Sequence, residues 1–207
     1  MIQNQSVQDF LNALSGKSPT PGGGSVAALN GALGAALVRM VCNVTIGKKK
    51  YADAEAEARD ILQRATDLQA QLTSLISDDA AAFDKVMAAF GMPRNTEAEK
   101  QARSKAIQAA FKEATLVPLA TVKACADVMR LGKRITEIGN ANAVSDAGSG
   151  VLTAHAGLRS ATLNVLINLG SLKDKAFVAE TEAELKAILS NTTALAEETY
   201  ALVKESL

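Results

Sequence analysis

Asp79 is a charged residue in an otherwise apolar pattern. It follows Leu72 and Leu75/Ile76 and precedes Phe83 at helical spacing, so it lies on the apolar stripe of a predicted helix. A carboxylate there needs a partner or acquires a raised pKa, and such groups are frequent at functional sites. The alternative is a helix that bends or ends near Ser77-Asp78, which would make Asp79 a cap. The sequence leaves both interpretations open.

A second set of polar and small residues follows one face of a helix predicted in the last third of the chain. The set consists of Asp146, Gly150, Thr153, Gly157, Ser160, Asn164 and Asn168. Such small side chains admit either another helix or a flat ligand. At 1.5 Å per residue Asp146 and Asn164 are about 27 Å apart, so within one subunit they cannot hold the same small group. They fit an elongated ligand or two separate sites.

Two further segments are candidates for binding anions. Gly22-Gly23-Gly24-Ser25 leads into a helix, where it predicts either a tight turn with Ser25 as N-cap or a set of backbone N–H groups facing an anion. It is not a Walker A loop, because no Gly-Lys-Ser/Thr follows. Lys48, Lys49 and Lys50 precede Tyr51, and either complement a helix C-terminus in solvent or bind a polyanion such as a carboxylate tail.

The composition excludes several classes of protein. Lys+Arg and Asp+Glu both number 22 in 207 residues, and this neutrality argues against a nucleic-acid partner. One histidine and two distant cysteines, Cys42 and Cys125, make neither a Cys/His zinc site nor a disulfide framework. His155 lies among apolar positions, which favours a hydrogen-bonded core residue over a catalyst. We expect a cytoplasmic protein without a metal site or secretory signal.

The elements that must position these residues are helices. Alanine occurs 39 times and proline four times, and no run of alternating β-branched residues predicts a strand. The predicted helices cover 6–14, 25–46, 53–90, 96–132 and a segment ending near 169, and the last helix covers 181–203. Thr96 to Glu99 and Thr181 to Glu184 are candidate capping boxes, and Pro118 is expected to kink or divide its helix.

These helices predict an all-α, up-and-down, multi-helix bundle forming a single domain over residues 1–207. The small-residue helix at 26–46 suits the centre of the bundle or a tight subunit interface. The same stretch is apolar enough to suggest a membrane span, but Arg39 would then lie deep in lipid. A buried helix without membrane contact is therefore the expectation.

Several motifs in the same order resemble the cyclodeaminase domain of the formiminotransferase-cyclodeaminase family, which includes stand-alone bacterial methenyltetrahydrofolate cyclohydrolases. The resemblance covers essentially the whole chain. Its motifs are Pro19-Thr20-Pro21-Gly22-Gly23-Gly24-Ser25, Gly31 to Leu37, Gly47-Lys48-Lys49-Lys50-Tyr51, Asp79 with Phe83, Val117-Pro118-Leu119, Gly139-Asn140 with Ser145-Asp146, and Asn164 to Leu169.

The resemblance implies an all-helical homodimer that acts on the one-carbon unit of tetrahydrofolate. The first expectation is the cyclodeaminase, which closes 5-formiminotetrahydrofolate to 5,10-methenyltetrahydrofolate and releases ammonia. The alternative is the cyclohydrolase, which interconverts the methenyl and 10-formyl forms, and a second alternative is a catalytically silent folate-binding or scaffold protein. No fused transferase is present in these 207 residues, so a separate formiminotransferase is a possible partner.

The resemblance also assigns the site residues. Asp79 and Asp146 are the expected acid and base, with neither role assigned to one of them. The loop from Gly22 through Gly23 and Gly24 to Ser25 would shape the folate cleft. Lys48 and Lys50, beside Tyr51, would meet the glutamate tail. Asn164 and Asn168 would donate hydrogen bonds to the pterin or line the cleft across a dimer interface. Neither reaction requires a metal or another cofactor.

Overall fold

The computed structural model describes residues 2–207, apart from the side chain of Gln3, and contains six α-helices. Their bounds are α1 Val7–Leu14, α2 Gly23–Thr45, α3 Glu55–Phe90, α4 Glu97–Ile138, α5 Val144–Leu169 and α6 Lys175–Ser206. A short 3-10 helix at 2–4 precedes α1, and two others at 49–54 and 141–143 lie between α2 and α3 and between α4 and α5. No strand occurs within residues 2–207, and the predicted all-α bundle is confirmed.

Successive long helices run antiparallel, as an up-and-down bundle requires. The start of α2 meets the later part of α3 where the Ser25 hydroxyl reaches the Ile76 carbonyl at 3.0 Å. Arg134 near the end of α4 pairs with Glu57 near the start of α3 at 2.6 Å. Val203 at the end of α6 packs on Gly148 at the start of α5. Consecutive helices therefore alternate in direction from α2 to α6.

Glycines let the neighbours of α2 approach its backbone. A Cβ at Gly31 would lie 2.6 Å from the Cys125 sulfur in α4. A Cβ at Gly34 would lie 2.7 Å from the Gly150 carbonyl oxygen in α5, and one at Gly157 would lie 2.7 Å from the Ala27 carbonyl oxygen. The middle of the small polar face of α5 thus packs on another helix, and only its two ends are available to a ligand.

Helix α2 is long and apolar enough to cross a membrane by length and composition alone, but 56% of its apolar window is buried inside the bundle. The helix packs against α3, α4 and α5. This burial is what a core helix of a soluble protein shows, and it agrees with the expectation from Arg39.

Three local predictions were wrong. Gly22, not Ser25, is the N-cap of α2, and Ser25 is fully buried in the first turn because α3 packs over it. The predicted helix end at Gly132 is wrong, because α4 continues to Ile138, and of the two outcomes predicted for Pro118, division of the helix does not occur. Thr181 does not start a helix: it is buried inside α6, which Asp174 caps by accepting a hydrogen bond from the Phe177 N–H.

Two other predictions describe the helices correctly. Thr96 and Glu99 form the predicted capping box, with both reciprocal hydrogen bonds present. Helix α3 is continuous from Glu55 to Phe90, so no bend or end at Ser77-Asp78 turns Asp79 into a cap of its own helix. Asp79 therefore lies on the apolar stripe of α3, at the point where α2 begins.

Candidate active site

A cleft of about 440 Å³ opens at the end of the bundle where α2 begins. Helices α3, α4 and α5 form its walls, and the segment before α2 closes one side. Its polar lining includes Thr20, Gly22, Gly23, Gly24, Asp79, Asn164, Asn168 and Ser171. Its apolar lining is Pro19, Ala82, Phe83, Val86, Met87, Phe90, Phe111, Ala114 and Ile167.

The carboxylate of Asp79 is held against the first turn of α2. The Ser25 hydroxyl lies 3.1 Å from Asp79 Oδ2, and the Ser25 backbone N–H also donates to this carboxylate. Since Gly22 has no side chain to cap α2, Asp79 from α3 satisfies one of the free N–H groups of that turn. A Cβ at Gly24 would lie 1.9 Å from Asp79 Oδ1, so only glycine permits this approach.

Burial raises the pKa of the Asp79 carboxyl above its ordinary value, and the hydrogen bonds from Ser25 partly oppose that rise. Among the described residues no cation forms an ion pair with Asp79. The Ser25 hydroxyl has a single proton and two acceptors within 3.1 Å, Asp79 Oδ2 and the Ile76 carbonyl. Asp79 is thus a partly buried carboxyl that can exchange a proton with a group in the cleft.

Two asparagines reach the cleft from successive turns of α5. Asn164 Nδ2 donates to the Ser160 carbonyl at 2.9 Å, and Asn168 Nδ2 donates to the Ala114 carbonyl of α4 at 2.8 Å. Asn164 also contacts Gly23, whose Cβ would lie 3.6 Å from the Asn164 amide nitrogen. The structure therefore brings Asp79, the glycine loop, Asn164 and Asn168 together, and it places Ser25 beneath them rather than in the lining.

The other predicted site residues lie at the opposite end of α2. Lys48 and Lys50 are exposed, and Lys50 lies 5.4 Å from the centre of the Tyr51 ring. The Tyr51 hydroxyl accepts a hydrogen bond from the Ala141 N–H at 3.0 Å, which lowers the pKa of the phenol. Asp146 is half-buried in the first turn of α5. Within one protomer this end is about 30 Å from the cleft, given the rise of α2.

Phe83, Met87, Phe90 and Phe111 fall at the three- and four-residue spacing of apolar helix stripes, and the structure shows that all four line the cleft. Phe90 and Phe111 meet edge to face with ring centres 6.0 Å apart. Residues around an apolar cleft follow the same three- and four-residue spacing as a sealed core. Periodicity therefore contained no signal that could separate the two.

The lone histidine and the two cysteines lie outside the cleft lining. His155 is half-buried on α5, where burial lowers the pKa of its imidazole. Cys42 and Cys125 are buried free thiols, and burial raises the pKa of Cys42 to about 11. Across residues 2–207, no group of three or more His, Cys, Asp or Glu side chains could hold a metal ion.

A family model described as formiminotransferase-cyclodeaminase matches residues 6–187. The chain belongs to this family. It is 49% identical over its full 207 residues to the methenyltetrahydrofolate cyclohydrolase of Methylorubrum extorquens, and the match covers 100% of both chains. It is 33% identical to the formimidoyltransferase-cyclodeaminase of Rattus norvegicus over 91% of this chain, which spans 35% of the rat protein.

The fold has a solved counterpart in the same family. The crystal structure of formiminotetrahydrofolate cyclodeaminase from Thermotoga maritima matches with a TM-score of 0.82 at 32% identity, covering 100% of this chain and 98% of that one. The resemblance stated from the sequence motifs is thereby confirmed, as is the all-helical architecture.

Proposed function

We propose that this protein is a methenyltetrahydrofolate cyclohydrolase acting in the cytoplasm. The observation that carries the proposal is the 49% identity, over the whole of both chains, to a cyclohydrolase of that name. The motifs alone placed the cyclodeaminase first and the cyclohydrolase as its alternative, and the comparisons favour the alternative. Cyclodeaminase activity is the second candidate, supported by the match to the Thermotoga maritima cyclodeaminase.

The chemistry requires a base and a way to stabilise a cation. Water attacks the carbon of the cationic methenyl bridge and gives up one proton to a base. The bond from that carbon to N5 then breaks, N5 takes up the remaining hydroxyl proton, and the C–O bond becomes the formyl carbonyl. The net products are the neutral 10-formyl form and one released proton. The Asp79 carboxylate would accept the proton of the attacking water, and its negative charge would favour the cationic bridge. The substrate's positive charge in turn favours the ionised form of Asp79.

The lining of the cleft suits a flat heterocycle with polar edges. Phe83, Phe90 and Phe111 supply aromatic surface, and Asn164, Asn168 and the glycine loop supply hydrogen-bonding groups. No Lys or Arg occurs among the described residues of this lining. A folate also carries a glutamate tail, and the cations predicted to bind it, Lys48 and Lys50, belong to the other end of α2.

A homodimer would bring those cations to the cleft. The outer faces of α2 and α5 carry large exposed apolar side chains, among them Leu33 (49% exposed), Leu163 (67%) and Ile167 (72%). Ile167 also lines the cleft, so this apolar face continues into the site. An isologous pair with antiparallel α2 helices would set the start of one α2 beside the end of its partner. Each site would then combine Asp79 of one protomer with Lys48, Lys50 and Asp146 of the other.

The catalytic proposal is tested by assaying the purified chain with each folate. We expect the parent protein to convert 5,10-methenyltetrahydrofolate to 10-formyltetrahydrofolate, and Asp79→Asn to do so far more slowly. Ammonia release from 5-formiminotetrahydrofolate would favour the second candidate, for which a separate formiminotransferase would supply the substrate. Folate binding that survives Asp79→Asn, with no product from either substrate in the parent protein, would indicate the silent binding protein.

The dimer proposal is tested by subunit complementation. Asp79→Asn and Asp146→Asn proteins, each of low activity, are mixed, dissociated and reassociated. If each site uses the two aspartates from different protomers, half of the dimers contain one intact site, and activity recovers to roughly a quarter of the parent value. Sites built within one protomer give no recovery, and a monomer in sedimentation would contradict the dimer itself.

A further inference from the structure

The side-chain amide of Asn168 donates a hydrogen bond to a carbonyl that has no partner within α4. Helix α4 continues through Pro118, which is buried and has no N–H to donate. The Ala114 carbonyl, four residues earlier, therefore lacks its usual partner within the helix. Asn168 Nδ2 donates to that oxygen at 2.8 Å, across 54 residues of sequence. Ala114 and Asn168 both line the cleft, so this hydrogen bond lies in its wall.

We propose that Asn168 is a positioning residue that joins α5 to the gap made by Pro118 in α4, and that it offers its Oδ1 atom, rather than its nitrogen, as the ligand-binding group. If Oδ1 faced the Ala114 carbonyl, two acceptors would meet and neither would be satisfied. The nitrogen end is therefore fixed towards α4. The part of this proposal that concerns the ligand rests on the proposed folate function.

The side chain of Asn164 is oriented like that of Asn168, but its hydrogen bond is not needed to satisfy a carbonyl. Its Nδ2 also donates to a backbone carbonyl, that of Ser160, yet Ser160 lies four residues earlier in α5 and already accepts a helical N–H. The two carboxamides are about one helical turn apart, roughly 6 Å between Cβ atoms. Because both side-chain nitrogens donate to backbone carbonyls, the two Oδ1 atoms are left to accept hydrogen bonds from N–H groups of a ligand. A ring edge with two such donors, as in the aminopyrimidine part of a pterin, is the matching ligand class.

A double-mutant cycle on stability tests the structural half of the proposal. Asn168→Ala is made in the parent protein and in Pro118→Ala, which restores a backbone donor for the Ala114 carbonyl. In the parent we expect the unfolding equilibrium constant to rise about tenfold or more, because a buried carbonyl loses its partner. In the Pro118→Ala background the rise should be less than about threefold. Asn164→Ala is the matched control, with a small effect in both backgrounds.

An equal effect of Asn168→Ala in both backgrounds would overturn the proposal. If Pro118→Ala does not fold, NMR of the parent protein decides. The side-chain amide protons of Asn168 should exchange with solvent more slowly than those of exposed asparagines such as Asn12. Equally fast exchange would also overturn it. Neither measurement depends on activity, so both hold even if the folate proposal fails.

Steady-state kinetics test the ligand half. Asn168→Ala should lower kcat and raise KM for 5,10-methenyltetrahydrofolate. In Pro118→Ala/Asn168→Ala, kcat should return to the Pro118→Ala value because the wall is repaired, while KM stays about three- to tenfold higher because the acceptor is still missing. Recovery of both parameters would mean that Oδ1 binds no ligand and would refute this half. A parent protein without folate turnover would refute the proposed function instead.

Discussion

The two ends of helix α2 differ in how they hold their charges. At the cleft end Asp79 is partly buried, faces the first turn of α2 and has a raised pKa. At the lysine end, defined as residues 48–51 with Asp146, Lys48 and Lys50 are exposed and Asp146 forms no ion pair within the described part of the chain. Burial tunes a group for proton transfer, whereas exposure leaves cations free to attract an anionic tail. This contrast supports the proposal that Asp79 transfers protons at the cleft end and that the exposed lysines at the other end bind the tail.

The largest expected effect comes from removing the charge at the cleft end. Asp79→Asn should lower kcat about 10²- to 10⁴-fold, the usual contribution of a general base. Asp78→Asn is the matched control, because Asp78 is the exposed neighbour that accepts a hydrogen bond from the Ser74 hydroxyl. Steady-state assays of both variants measure the difference. Equal activities of the two variants would show that Asp79 takes no part in the reaction.

The second largest effect is expected from disturbing the close contact between Asp79 and the first turn of α2. Gly24→Ala should lower kcat roughly 100-fold, because a Cβ 1.9 Å from Oδ1 must displace the carboxyl by about an ångström or more. Gly23→Ala places its Cβ 3.6 Å from Asn164, an ordinary contact, and should retain most of the activity. A Gly24→Ala protein as active as Gly23→Ala would show that the position of Asp79 does not matter.

Substitutions of the lysines at the lysine end should change binding rather than rate. Lys48→Ala and Lys50→Ala should each raise KM about three- to tenfold for a polyglutamylated folate and leave kcat nearly unchanged, as loss of uniform binding does. Lys49→Ala is the control, since three consecutive lysines cannot all face one ligand. High salt should reduce the difference between parent and variants. A tenfold fall in kcat with unchanged KM would instead place these lysines next to the chemistry.

The smallest expected effect is the pH dependence of stability. Since the folded pKa of Asp79 is raised, the stability that its protonated form contributes is fully present below about pH 3.9, the unfolded value, and is lost as the pH rises through the folded pKa. Asp79→Asn avoids this loss. Its stability relative to the parent protein should increase from pH 3.5 to pH 7, as measured by urea unfolding. A constant difference across that range would mean that the Asp79 pKa is not raised by folding.

Much of the fold was predictable because its signals are local. Alanine content, the scarcity of proline and the Thr96 capping box act within one helix, and these predictions were confirmed. The Ser25 cap and the division of a helix at Pro118 were both wrong, and in both places a second helix supplies a contact that the local sequence does not indicate. Ser25 is covered by α3, and the gap at Pro118 is filled by Asn168, 50 residues later in the sequence.

The candidate site was predictable in part for the same reason. Asp79 stood out because a carboxylate interrupts an apolar stripe, and its cleft location agrees with that signal. The separation of Asp146 from Asn164 also follows directly from helical rise. What a single chain could not indicate is whether the two ends of α2 meet, because in the proposed dimer that meeting depends on a second protomer. The assignment of Asp79 and Asp146 to one site remains a prediction.

The glycine contacts that fix α2 in the centre of the bundle also determine how the two active sites of the proposed dimer influence each other. Helix α2 has 23 residues and is about 35 Å long, so antiparallel partners would hold the two sites roughly that far apart. That distance is several times the Debye length of about 8 Å at physiological salt, so charge at one site is screened from the other. Because close backbone packing resists bending, substrate saturation should be hyperbolic, with a Hill coefficient near 1.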